Sequence, residues 1–106
     1  MNLNITFKQI DPSDFLKGFI KEKSETLTKY FDGRISVTWT ISAEKQLKTA
    51  HCHLLGNSMD YFGEGSTEDF KASVDVALDK IEKQVRKHKE IVKNHKSGPR
   101  PSPQED

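Results

Sequence analysis

The stretch Ile35-Ser36-Val37-Thr38-Trp39-Thr40-Ile41-Ser42 alternates apolar and polar side chains without interruption. A period of two puts Ile35, Val37, Trp39 and Ile41 on one face and Ser36, Thr38, Thr40 and Ser42 on the other. With its β-branched and aromatic content, this is the pattern of a half-buried strand. Toward the C-terminus, Glu44–Leu47 reads as a turn and is followed by a second alternating run. There Ala50, Cys52 and Leu54 face one way and His51 and His53 the other. Gly56-Asn57-Ser58 is a hairpin signal. A further strand is expected over about Asp60–Gly65, weakened by Gly63 and Gly65. Toward the N-terminus, Leu3, Ile5 and Phe7 alternate with Asn4, Thr6 and Lys8 and predict one more strand.

Two helical patterns flank the central strands. The first is expected to open at Asp11-Pro12, with Asp capping free amides and Pro at a position that needs no amide hydrogen. Phe15, Leu16, Phe19, Ile20, Leu27, Tyr30 and Phe31 then recur at helical spacing up to Asp32-Gly33, a natural stop. The second is expected to open at Ser66 or Thr67, with Glu68 and Asp69 in its first turn. Phe70, Val74, Ala77, Leu78, Ile81, Val85, His88 and Val92 make one continuous apolar stripe at about 100° per residue. The stripe ends near His95. Residues 97–106, with three prolines among Ser97-Gly98-Pro99-Arg100-Pro101-Ser102-Pro103, are expected to be a disordered tail behind a domain of residues 1–96. The predicted order is β-α-β-β-β-α. Two one-faced helices and a one-faced sheet combine most simply as an α+β two-layer sandwich, a four-stranded sheet with both helices on one face.

Length and composition narrow the function classes. A chain of 106 residues is one domain, and its single cysteine excludes an internal disulfide. No segment is apolar enough to span a bilayer or act as a signal, so the reading is a cytoplasmic protein without membrane attachment. The net charge of +1 conceals a strong asymmetry. Residues 1–70 carry 8 basic and 10 acidic side chains, whereas Lys80–Lys96 carries 7 basic residues against Glu82 and Glu90 alone. Such local clustering decides whether a polyanion is attracted.

The candidate chemistry lies in that segment. Lys80, Lys83, Arg86, Lys87, Lys89 and Lys93 fall off the apolar stripe and wrap the outward side of the last helix. They present one or two cations per turn of about 5.4 Å, a spacing comparable to that of phosphates along an RNA strand. The composition equally suits a solvated face held by i,i+4 pairs such as Asp79–Lys83 and Glu82–Arg86. Lys23 shares the phase of Phe19 and Tyr30. It is either a lysine snorkelling past a packing edge or a cation in the groove between the helices, sharing a phosphate with the last helix. His51 and His53 project on one strand face and could share a zinc ion, but no further ligand is near in sequence, and no metal or other cofactor is expected. Cys52 faces inward as a small core residue. Asp75 and Asp79 are spaced for acid–base work, yet nothing adjacent would raise either pKa. No phosphate loop or nucleophile motif appears, and no enzyme is read from the chain.

Three segments carry a family resemblance. Met1-Asn2-Leu3-Asn4-Ile5-Thr6, Leu27-Thr28-Lys29-Tyr30-Phe31-Asp32 and, most specifically, Ser73–Lys89 ending in Arg86-Lys87-His88-Lys89 resemble the ribosome hibernation promoting factor and ribosome-associated inhibitor family in its short form. The likeness covers residues 1–96. It implies a factor that binds the small ribosomal subunit in stationary phase or stress and blocks the messenger and transfer RNA sites near the decoding region. It also implies that Lys80, Lys83, Arg86, Lys87 and Lys89 grip ribosomal RNA, and that Lys23 matches a lysine of the family's first helix. Lys71 stands where members commonly have a tyrosine. Some short members act with a separate ribosome modulation factor and others oppose ribosome dimers through a tail, and the resemblance leaves both open. The free protein is expected to be a monomer. Two other functions fit the same pattern. One is a general double-stranded RNA-binding module. The other is a protein-interaction module using the open sheet face or the fourth strand.

Overall fold

Strands β1 (Asn2–Lys8), β2 (Ser36–Glu44), β3 (Leu47–Gly56) and β4 (Met59–Thr67) form one sheet in the order β1-β2-β3-β4. The computed structural model describes residues 1–30, 34–56 and 59–97, and for residues 88–97 the helical backbone alone. β2, β3 and β4 are antiparallel neighbours, whereas β1 runs parallel to β2 with Ile5 opposite Trp39. A parallel neighbour requires a crossover, which helix α1 (Asp14–Glu25) and a 3-10 turn (Thr26–Tyr30) provide. Helix α2 (Phe70–Ser97) lies on the same face of the sheet. The β-α-β-β-β-α sandwich is the architecture that the hydrophobic periods predict.

The strand register explains how two helices share one sheet face. Across the inner face the rows read Ile5–Trp39–Cys52–Gly63 and Phe7–Ile41–Ala50–Gly65. From β2 onward side-chain volume therefore falls toward β4. At that thin end α2 settles onto the strand: a Cβ at Gly63 would fall on the carbonyl oxygen of Ala77, and one at Gly65 on that of Ser73. The two glycines that weaken β4 as an isolated strand are what allow backbone-to-backbone packing. At the thick end, α1 buries Leu16, Ile20 and Ser24. The fully buried Trp39 donates from Nε1 to Ser24 Oγ at 2.8 Å. This bond satisfies the one polar atom of the largest core side chain and pins α1 to β2.

Helix boundaries differ from the sequence expectation for local reasons. α1 begins at Asp14, not at Asp11-Pro12, because Ser13 is the cap and its Oγ accepts from Leu16 N at 3.1 Å. It tightens after Glu25, where Thr26 and Thr28 hydroxyls bond back to the carbonyls of Lys23 (2.7 Å) and Glu25 (2.8 Å). Ser66 and Thr67 belong to β4. Asp69 caps α2 instead, its Oδ2 accepting from Ala72 N at 3.0 Å. Ser73 is buried on the inner side of α2, its Oγ accepting from Thr67 N at 3.0 Å and lying 2.7 Å from the Lys48 carbonyl. Phe15 was expected on the core stripe but is 68% exposed. The core row is Leu16, Ile20, Ser24 and Leu27, and a residue one position earlier points about 100° away from it. The core stripe of α2 holds through Val85; the side chains of His88 and Val92 lie outside the described residues, as do Phe31, Asp32-Gly33, Asn57-Ser58 and the expected tail beyond Ser97.

Four outcomes follow from this packing. Gly63→Ala or Gly65→Ala forces α2 away from β4 and should cost about 1–3 kcal/mol, read as a fall in melting temperature by circular dichroism. Ser24→Ala leaves the buried indole N–H of Trp39 without a partner, at a cost of about 1–3 kcal/mol. Ser42→Ala on the open face should stay within about 0.5 kcal/mol of the parent. Burial pushes the Cys52 thiol up to about 12 from its ordinary 9.0. At pH 8 the native protein should therefore resist a thiol-labelling reagent that modifies the unfolded chain at once.

Candidate nucleic-acid interface

The cations of α2 divide into three directions. Lys83 projects opposite the buried row Val74, Leu78, Ile81 and Val85, straight into solvent. Its Nζ lies 3.3 Å from Asp79 Oδ2, both side chains more than half exposed. Lys80 turns toward the sheet, its Nζ donating to the Glu64 carbonyl at 2.7 Å, and one turn on Gln84 donates to the Phe62 carbonyl at 2.7 Å. By helical phase Lys87 continues that row and Arg86 lies on the opposite flank, toward α1; both are exposed. Lys83, Arg86 and Lys87 thus lie on the outward side of the helix beside the exposed Asp79, whereas Lys80, expected among them, is directed toward the sheet. Lys89 and Lys93 lie on the α2 backbone, but their side chains are outside the described residues. Among the described residues Glu82 is not paired with Arg86 as expected; its Oε2 lies 3.4 Å from Thr26 Oγ1, whose hydrogen goes to the Lys23 carbonyl at 2.7 Å.

Lys23 sits in the seam between α1 and α2. Its Nζ is 3.5 Å from Asp75 Oδ1 and 5.4 Å from the centroid of the Phe19 ring, with 40% of the side chain exposed. A half-exposed ion pair of this kind is worth about 0–1 kcal/mol. Lys23 and Lys83 can therefore exchange their carboxylates for a phosphate at little expense. Asp75 and Asp79 each face a lysine, not one another, so they do not form a coupled acid–base pair. The same seam holds two contacts that residue counting misses. Lys71 Nζ lies 5.0 Å from the Phe15 ring centroid and 5.8 Å from that of Phe19. The available signal was Phe15 standing one position out of phase with Leu16 and Ile20.

The open face of the sheet is chemically different. Its rows are Thr6–Thr40–His51–Glu64 and Asn4–Thr38–His53–Phe62. Phe62 stacks on His53 at 4.2 Å and 6°, and tilts against His51 at 5.1 Å. His53 Nε2 lies 2.6 Å from Asp60 Oδ1. The two imidazoles are thus engaged by a phenyl ring and a carboxylate, and among the described residues no three His, Cys, Asp or Glu side chains group as a metal site. No helix among the described residues is long and apolar enough to cross a membrane. The concentrated positive charge lies on the helical side.

Residues 3–93 match the Sigma 54 modulation protein / S30EA ribosomal protein family. The chain is 30% identical over 102 residues to the ribosome hibernation promoting factor of Azotobacter vinelandii, covering 96% of this chain and 95% of the relative. It is 30% identical over 95 residues to that of Escherichia coli strain K12, covering 90% and 100%. The factor of Rhizobium meliloti is 29% identical and is matched over 53% of its length. In fold the chain is similar to the N-terminal domain of Thermus thermophilus Protein Y, with a TM-score of 0.78 at 21% identity over 83% of this chain and 99% of that one. It is also similar to a ribosomal subunit interface protein from Coxiella burnetii, with a TM-score of 0.74 at 18% identity over 85% and 99%. The match through nearly all of the folded region, with the shared architecture, means that this chain belongs to the Sigma 54 modulation protein / S30EA ribosomal protein family, that of the ribosome hibernation promoting factors.

Proposed function

We propose that this protein silences translation by binding the small ribosomal subunit near its decoding region, where it occupies the messenger and transfer RNA sites during stationary phase or stress. The observation that carries the reading is the cationic outer side of α2, with Lys83, Arg86 and Lys87 presented to solvent and Lys80 at its margin beside the sheet. Lys89 and Lys93 extend the series in sequence, and Lys23 adds a cation from α1 in the seam. No bond is made or broken in this mechanism. Affinity comes from counterions released as lysine and arginine replace them at phosphates. The protein acts in the cytoplasm as a monomer when free, and a separate ribosome modulation factor is a candidate partner on the ribosome. A strand-pairing role for β4 is disfavoured, because the Phe62 and Glu64 carbonyls already accept from Gln84 and Lys80.

Sucrose-gradient sedimentation with an in vitro translation assay tests the proposal. The protein should co-migrate with small subunits or intact ribosomes and lower translation, and excess duplex RNA should not displace it. Displacement by duplex RNA would favour a general double-stranded RNA binder. Raising salt from about 50 to 200 mM should weaken binding by orders of magnitude. Reversing Lys83, Arg86 and Lys87 to Glu, all exposed, should abolish both binding and inhibition while the melting temperature holds. Retention of inhibition by that folded variant would refute the mechanism.

A further inference from the structure

Among the described residues, one large aromatic side chain stands exposed on the helical side. Phe15 is 68% exposed, projecting from the first turn of α1 at the end of the α1–α2 seam. Around it the seam alternates rings and cations. Lys71 Nζ lies 5.0 Å from the Phe15 centroid and 5.8 Å from that of Phe19, and Lys23 Nζ lies 5.4 Å from Phe19. Phe15, Phe19 and Lys23 follow one another at i, i+4 and i+8 and so share one flank of α1. Lys71 and Asp75 face them from α2, and by phase the flank continues to Arg86. Exposed rings interleaved with cations are the composition that binds unpaired nucleotides, the rings taking bases and the cations taking the flanking phosphates.

The other exposed phenyl ring among the described residues, Phe62, has different surroundings. It already stacks on His53, and Asp60 and Glu64 stand beside it on the open face. Those carboxylates would repel a phosphate backbone. Phe15 also has carboxylates near it, Asp14 before it in the chain and Asp75 farther along the seam, but it alone of the two rings has a lysine ammonium against it, and that selects Phe15. We propose that Phe15, with Lys71 against its ring, is a stacking platform for one unpaired base of the RNA that the protein binds. This rests on the ribosomal RNA reading above and adds to it a residue whose contribution does not depend on salt. Lys71 moves from the ring to the phosphate beside that base.

The test is the affinity for purified small ribosomal subunits, measured across a salt series for the parent and for Phe15→Ala, Phe15→Leu, Phe15→Trp and Lys71→Ala. Phe15 is exposed, so these variants should melt with the parent, and Trp39 emission before ligand is added checks the fold in all but the Trp variant. Phe15→Ala and Phe15→Leu should weaken binding about tenfold at every salt concentration, leaving the slope of log affinity against log salt unchanged. Phe15→Trp should bind at least as well as the parent. Lys71→Ala should reduce the slope by about 0.7, the share of one single-strand phosphate. If Phe15→Leu binds like the parent, any contact there is merely apolar, as a protein surface would make, and the stacking proposal is overturned while the ribosome reading stands. If the parent itself fails to bind small subunits, both readings fall together.

Discussion

The whole arrangement depends on the absence of two methyl-sized groups from β4. Because nothing projects from Gly63 and Gly65, the backbone of α2 rests directly on that of the strand at Ala77 and Ser73. The taper across the inner face, from Trp39 through Cys52 to Gly63, sets the depth at which each helix can lie. It brings α2 down on the thin side and leaves room for α1 over Trp39. Once α2 is held on its inner face by Val74, Ala77, Leu78, Ile81 and Val85, its outer half has no packing role. Cations can gather there without disturbing the core.

Much of this was legible in the sequence. A period of two stands out in β1, β2 and β3, and the α2 stripe from Phe70 to Val85 is read correctly from spacing alone. What escaped were side chains whose role depends on a distant partner. Ser24 and Ser73 are small polar residues that spacing assigns to no face. Each is fully buried because a remote group, the Trp39 indole or the Lys48 carbonyl, meets its hydroxyl. The glycines of β4 read as a weakness because their function lies on another element. Serine and aspartate caps compete within a few residues, so Asp11 and Ser66 were as plausible as Ser13 and Asp69 until backbone geometry decided.

The candidate site divides along the same line. Local charge and helical phase find the cationic side of α2, because both are local properties. They do not show that Lys80 reaches back to the sheet, that Lys23 meets Asp75, or that Lys71 lies across two rings of α1. Those contacts arise from the parallel course of two helices separated in sequence by three of the four strands. Lys71 makes the seam aromatic and cationic by lying across rings of the neighbouring helix.

The contacts made by Lys80 and Gln84 also bear on solubility. Sheets grow by templated addition at an unpaired edge, and aggregation begins there. On the β4 side the Phe62 and Glu64 carbonyls are already occupied by side chains reaching down from α2. The opposite edge is the short β1, which ends at a charged Lys8 followed by Gln9 at a φ of 64°, a turn that breaks the extended line. A protein built to be a polycation on one side thus also carries, through one of the same lysines, a guard against polymerising with itself.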